Sequence, residues 1–399
     1  MDFYRHLFGQ NETGSPLTFT LVYLASIIFT FINLLTAYSS STYLEQFITK
    51  EAVGLLFGVS AGIAIVLSLT LPRLLRRIGN VNSSLLLITL VSLALVFMGL
   101  ALSTPVTIIA FVAYLALSPQ VYLNIDIFLE TLIGTDEGTT GSKRGLVLTL
   151  MSIAAFFSPL AMGYIIGTEN NLAHVYYVGA GAGLVLIALI VSRFRQFLDP
   201  VYTTIRVRDM LRDAAKDVDI RTVMTAQFLL QFFYTWAVVY IPLYLATTLG
   251  FDWPTISKIL AAGLLAFVIF EYPIGYIADK HIGEKEMMAL GFVFLTLSAA
   301  SMSFLASFGV IAWMVLMFVS RIGASLVEVT TESYFFKKVD GNEPNLIGLF
   351  RLMRPLANLA GTITGSIALF FLPFNFIFIV LAFVMVSGTF ITSFLTDTK

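Results

Sequence analysis

Twelve stretches of about 20 predominantly apolar residues, separated by polar or Gly/Pro breaks, run the length of this 399-residue chain. A bilayer core about 30 Å thick takes roughly 20 residues of helix, so each stretch has the length of one crossing. They centre on 17–38, 53–72, 84–103, 107–132, 146–167, 174–193, 222–245, 255–277, 287–308, 310–335, 347–369 and 374–394. Strands do not fit, because open sheet edges leave backbone groups unpaired in lipid and no alternating ten-residue pattern recurs. Composition agrees: 12% of residues are charged and mean hydropathy is +0.90, where a soluble domain carries about a quarter charged. The expected fold class is an all-α membrane protein with twelve transmembrane helices in two pseudo-symmetric six-helix bundles.

Charge placement orients the spans. Of the 23 Lys and Arg, 20 fall at the two ends or in the loops that share a side with them, Lys50 and Lys258 face the other side, and Arg321 lies inside a span. Both termini are therefore expected in the cytoplasm of a multi-pass protein of the cell membrane. The first fifteen residues hold no long apolar run, so the spans themselves are expected to direct insertion. A net charge of −1 gives no bulk attraction to nucleic acid. The chain has no cysteine and three histidines, which argues against thiolate chemistry and metal clusters. No cofactor motif is present, and an enzyme is not expected. The expected partners are the lipid bilayer, a small-molecule solute and protons, with the chain acting as a monomer.

The expected organisation is a first bundle over 1–194, a cytoplasmic linker over 195–220 and a second bundle over 221–399. Within the linker, Val207, Met210, Leu211, Ala214, Ala215 and Val218 recur at helical spacing among charged residues. An amphipathic helix on the cytoplasmic lipid surface fits this pattern, and a solvated linker is the alternative. The two halves also repeat. Asp126 and Glu130 in the fourth span find Glu328 and Glu332 in the tenth at an offset of 202, and Gly163 finds Gly365 at the same offset. Tyr43-Leu44 finds Tyr244-Leu245 at 201, and Ile78-Gly79 finds Ile282-Gly283 at 204. Such repeats create the interface at which transporters form a solute site.

The turn after the eighth span reads Gly275-Tyr-Ile-Ala-Asp279-Lys280-His-Ile-Gly283-Glu-Lys285. With the span count and the repeat, it resembles the major facilitator superfamily, whose cytoplasmic loop motif is G-x-L-a-D-R/K-x-G-R/K. The turn after the second span keeps the basic residues Arg76 and Arg77 and the glycine Gly79, and lacks the acid and the first glycine. The resemblance implies a transporter in which the first, fourth, seventh and tenth spans line a central cavity. It also implies that Asp279 helps to hold the cytoplasmic side shut, for which the bland alternative is an acid that ends its helix and faces water. Gly275 is expected to let the end of the eighth span approach a neighbour. In the fifth span, Ser158-Pro159-Leu-Ala-Met-Gly163 retains only the proline and one glycine of the family's antiporter motif, which argues mildly against drug/proton exchange.

An ionised side chain at the centre of a bilayer costs about 2.5–3.5 kcal/mol or more, so each one in a span needs a partner, a water-filled cavity or a proton. Asp126, Glu130, Glu271, Glu328 and Glu332 are such groups, with Arg144, Arg351 and Arg354 near enough in sequence to reach the innermost ones. Either they form an ion-pair network that gates the cytoplasmic side, or one of them carries a coupling proton, or they bind solute. On the cavity-lining spans the polar candidates for solute contact are Asn33, Gln120, Gln231, Tyr234, Trp236 and Arg321. Arg321 cannot shed its proton, so it requires an anionic partner, either Glu328 two turns on or the solute itself. The expected function is secondary transport of a small solute by alternating access, with possible proton coupling. The alternatives are a uniporter, a lipid or drug flippase, or a non-transporting membrane sensor or assembly protein.

Overall fold

The computed structural model describes residues 19–133, 137–169, 171–202, 207–278, 282–305, 308–339 and 344–396, with the backbone alone at 133, 137–145, 207, 344 and 345. Helix α1 covers Phe19–Glu45. The next helical run, Lys50–Leu100, is 51 residues long and is broken at Gly79, with φ 74° and ψ 168°. We therefore treat it as α2 (50–78) and α3 (80–100). There follow α4 (Thr104–Ile133), α5 (Glu137–Ile166), α6 (Ala173–Arg193) and the short α7 (Val207–Ala214). The second half holds α8 (Val218–Thr247), α9 (Trp253–Ile277), α10 (Glu284–Met302), α11 (Val310–Lys338), α12 (Pro344–Phe371) and α13 (Ile377–Thr392). Apart from α7 these are twelve long helices, one for each apolar stretch.

Ten described helical runs are long and apolar enough to cross a membrane, counting Lys50–Leu100 once. The break at Gly79 makes two crossings of that run. The 28-residue α12 is less apolar because Arg351 and Arg354 lie in its first half. The chain is a multi-pass membrane protein.

The repeat in the sequence has a backbone counterpart. Gly283, the partner of Gly79 at offset 204, has φ 95° and ψ 156°, and both residues immediately precede a helix. That region of backbone space is open essentially to glycine alone, and a side chain there costs about 1–3 kcal/mol. At Gly79 the space is also occupied: an added Cβ would lie 3.4 Å from the Asp199 carboxyl carbon. Gly79→Ala is therefore expected to lower the thermal unfolding midpoint in detergent. An unchanged midpoint would show that the turn relaxes without cost.

Asp199 follows α6 and closes this turn from outside. Its Oδ1 accepts from the Asn80 backbone N–H at 2.7 Å and from the Tyr202 hydroxyl at 2.5 Å. The exposed amides at the start of α3 favour an anion there. Burial and the neighbouring Asp199 carboxylate hold the Tyr202 phenol above its ordinary range.

Two compact units divide the chain, one of 1–37 with 63–204 and one of 38–62 with 205–399. This differs from the boundaries expected from the sequence, since 38–62 groups with the second half. Packing explains it. A Cβ on Gly54 would lie 3.0 Å from the Thr362 carbonyl, Gly58 faces Thr362 and Ile363, and the Lys50 ammonium sits 5.7 Å over the Phe374 ring. Within the second unit, α11 packs against α9 and α10, and α8 against α11, α12 and α13. The amphipathic stretch is shorter than its sequence pattern. It buries Met210 and Ala214, leaves Leu211 exposed, and packs against α12 where a lipid-facing surface was expected.

The C-terminal end of α11 is held by two acids from neighbouring helices. Lys338 pairs with Asp219 of α8 at 2.8 Å, and Lys337 pairs with the fully buried Glu284 of α10. Asp219 also accepts from the Thr396 backbone N–H at 2.9 Å, and Glu284 from the Ser333 hydroxyl at 3.1 Å. Both acids lie in the first turn of their helices and both lysines in the last turn of theirs, where each charge suits the helix dipole.

Candidate functional site

In the second unit, α11 carries Arg321, Glu328 and Glu332 along its length, and α8 brings Tyr234 against the first two. Arg321 is 3% exposed, far below the usual value for an arginine. Gly263 of α9 makes room for its stem, since a Cβ there would lie 3.3 Å from the Arg321 Cγ. The guanidinium carbon stands 5.4 Å from the Phe233 ring centre and 5.7 Å from that of Tyr234. The hydroxyl of Tyr38, a buried α1 residue that belongs to the same unit, lies within its electrostatic reach. Arg321 Nη1 has no hydrogen-bond partner among the described residues.

Two turns farther along α11, the Tyr234 hydroxyl donates to Glu328 Oε2 at 2.6 Å. Tyr234 thus touches both charges: its ring carries the guanidinium and its hydroxyl the carboxylate. Glu328 also feels the positive charge of Arg354 on α12 and, more weakly, that of Arg321. On α9, Glu271 faces the negative charges of Glu328 and Glu332. Three carboxylates, two arginines and a tyrosine from four helices therefore share one electrostatic neighbourhood. Arg321 is buried and the three carboxylates partly so, whereas Arg354 is exposed, so screening is weakest around Arg321.

The other residues singled out in the sequence fall elsewhere. Gln231 is buried on α8 one turn before Thr235, whose hydroxyl donates to its carbonyl at 2.9 Å. Trp236 donates from Nε1 to the Gly361 carbonyl at 2.9 Å and stacks on Phe232, which sets it in the α8–α12 interface. Asn33 and Gln120 lie in the first unit. The Asn33 carbonyl accepts from Tyr114 at 3.3 Å, and the Gln120 amide donates to the Ala64 carbonyl and the Ser68 hydroxyl, both at 3.1 Å. Gln120 therefore ties α4 to α2. Asp126 and Glu130 are partly buried on α4 of that unit. Arg351 is exposed on α12, and the side chain of Arg144 lies outside the described residues.

Of the loop motif, Asp279 and Lys280 lie outside the described residues. A Cβ on Gly275 would meet Val329 at 3.6 Å, an ordinary contact, so close approach does not require glycine there. The glycine that the turn needs is Gly283. Sequence reasoning missed Tyr38 and Phe233. Among sixteen tyrosines and 36 phenylalanines, no local pattern marks these two, because their role depends on a helix distant in sequence.

The family model described as Major Facilitator Superfamily matches residues 223–399, which include every charged member of this cluster. A comparison with curated proteins finds no match. Among solved structures, the crystal structure of the nucleoside transporter NupG is similar in fold, with a TM-score of 0.70, 12% identity, and coverage of 94% of this chain and 98% of that one. Twelve long helices, the repeated glycine turns and these two findings agree: residues 223–399 match the Major Facilitator Superfamily by sequence, and the fold of both halves is similar to that of a solved transporter.

Proposed function

We propose that this protein is a secondary transporter of the cell membrane that moves a small solute by alternating access, coupled to protons through Glu271, Glu328 and Glu332. The observation that carries the reading is Tyr234, which joins a buried guanidinium to a carboxylate inside a spanning helix. Charges at that depth are costly and are kept where they serve a solute or ion path. A solute that draws on Arg321 changes the balance at Glu328 through Tyr234, and that link is what coupling requires. The positive charges on one side orient both termini to the cytoplasm. The family and the solved transporter of like fold agree with transport.

Flux into liposomes containing the purified chain tests the proposal. Nucleosides, sugars, amino acids and organic acids form the panel, and exchange of none of them by the protein would leave only a non-transporting role. For a solute that moves, Glu328→Gln removes the exchangeable proton while keeping the shape of the acceptor. One proton moved along 100 mV supplies about 2.3 kcal/mol, enough for roughly a fiftyfold gradient of a neutral solute. The variant is expected to lose accumulation driven by proton motive force and to keep solute exchange at equal pH. Full accumulation in the variant removes Glu328 as the proton carrier.

A further inference from the structure

We infer that the solute carries a carboxylate, bound between Arg321 Nη1 and the Tyr38 hydroxyl; this rests on the transporter reading above. Three observations lead there. Arg321 is 3% exposed, yet no carboxylate pairs with it among the described residues. Glu328 instead takes its hydrogen bond from Tyr234 and is drawn to Arg354 before Arg321. The guanidinium rests on two aromatic rings, contacts that hold it in place without neutralising it.

The donors on offer define the ligand. Nη1 presents N–H groups with no acceptor among the described residues. The Tyr38 hydroxyl, beside the guanidinium, has an O–H that can donate as the second hydrogen-bonding group. One cation and two donors match the two oxygens and single negative charge of a carboxylate. A neutral amide offers one acceptor oxygen and no charge, so it satisfies half of the site and leaves the guanidinium uncompensated. A proton moving with such an anion makes the combined movement electroneutral, which fits the three carboxylates beside it.

The test is thermal stabilisation of the purified full chain in detergent at neutral pH. The probes are acetate, lactate, benzoate, succinate and citrate, with acetamide, lactamide, benzamide and succinamide as neutral counterparts, and uridine and inorganic phosphate as other classes. At least one carboxylate is expected to stabilise the chain while its amide does not. Tyr38→Phe, which keeps the ring and removes only the hydroxyl, should weaken that carboxylate at least tenfold, and Arg321→Met should abolish the effect. Silence across the carboxylates, equal stabilisation by acid and amide, binding confined to uridine or phosphate, or an undiminished effect in Tyr38→Phe overturns the inference. Failure of the transporter reading looks different. Carboxylate binding with the expected loss in Tyr38→Phe, but no counterflow of that acid in liposomes, keeps the site and rejects transport. Flux of a sugar or nucleoside that is indifferent to Tyr38→Phe keeps transport and rejects the carboxylate.

Discussion

Replacing Arg321 by methionine is expected to abolish solute transport while leaving the protein at least as stable as the natural chain. The two effects have opposite signs for one physical reason. A guanidinium buried in a spanning helix without a direct ion pair among the described residues is a cost to the folded state. Methionine occupies much of the same volume against Gly263 and Met317 and carries no charge, so that cost disappears. On the proposed binding mode the variant removes the solute's charged hydrogen bond, worth about 1.5–3 kcal/mol, or roughly ten- to a hundredfold in affinity. Uptake into liposomes and thermal unfolding of the same preparation check both halves. Transport at the natural rate would remove Arg321 from the site. A large fall in the unfolding midpoint would make the residue a structural one held for its contacts with Tyr38, Phe233 and Tyr234.

The second large effect is at the far end of α11. Lys337→Met is expected to destabilise the protein by about 3 kcal/mol, and Glu284→Gln by about 1 kcal/mol. The asymmetry follows from burial. Glu284 is 1% exposed whereas the Lys337 side chain is 49% exposed, so removing the acid lets the lysine turn to water. Removing the lysine takes from a buried carboxylate the ammonium that the structure sets against it. The double variant should recover most of the loss, because it contains neither charge. Chemical unfolding of the four proteins measures the cycle. Equal losses in the two single variants would mean that the pair is screened and contributes little.

Much of the architecture was legible from residue types alone, and particular elements show why. Each apolar stretch needs only length and hydropathy to become a helix in lipid, since the backbone must satisfy itself locally. The match of Ile78-Gly79 with Ile282-Gly283 foretold two turns of the same backbone form, because glycine is nearly the only residue that accepts it. The intramembrane acids and Arg321 stood out for the same kind of reason: their cost is set by the residue and its depth.

Partnership was not legible. The sequence offered Glu328, on the spacing of one helix, or the solute as the mate of Arg321; the fold sets Tyr234 of α8 against both charges and Tyr38 of α1 near the guanidinium. Gln120 and Trp236 look like solute contacts on their spans, yet their polar atoms bond neighbouring helices. The amphipathic linker helix faces α12, because an apolar stripe reads the same whether lipid or protein covers it. The sequence by itself thus determined the number of helices, their repeat and which residues are too costly to be incidental, since these depend on local chemistry and on the membrane. Only the tertiary structure decided which of those residues meet, because a hydrogen bond between α8 and α11 depends on how helices 94 residues apart are packed.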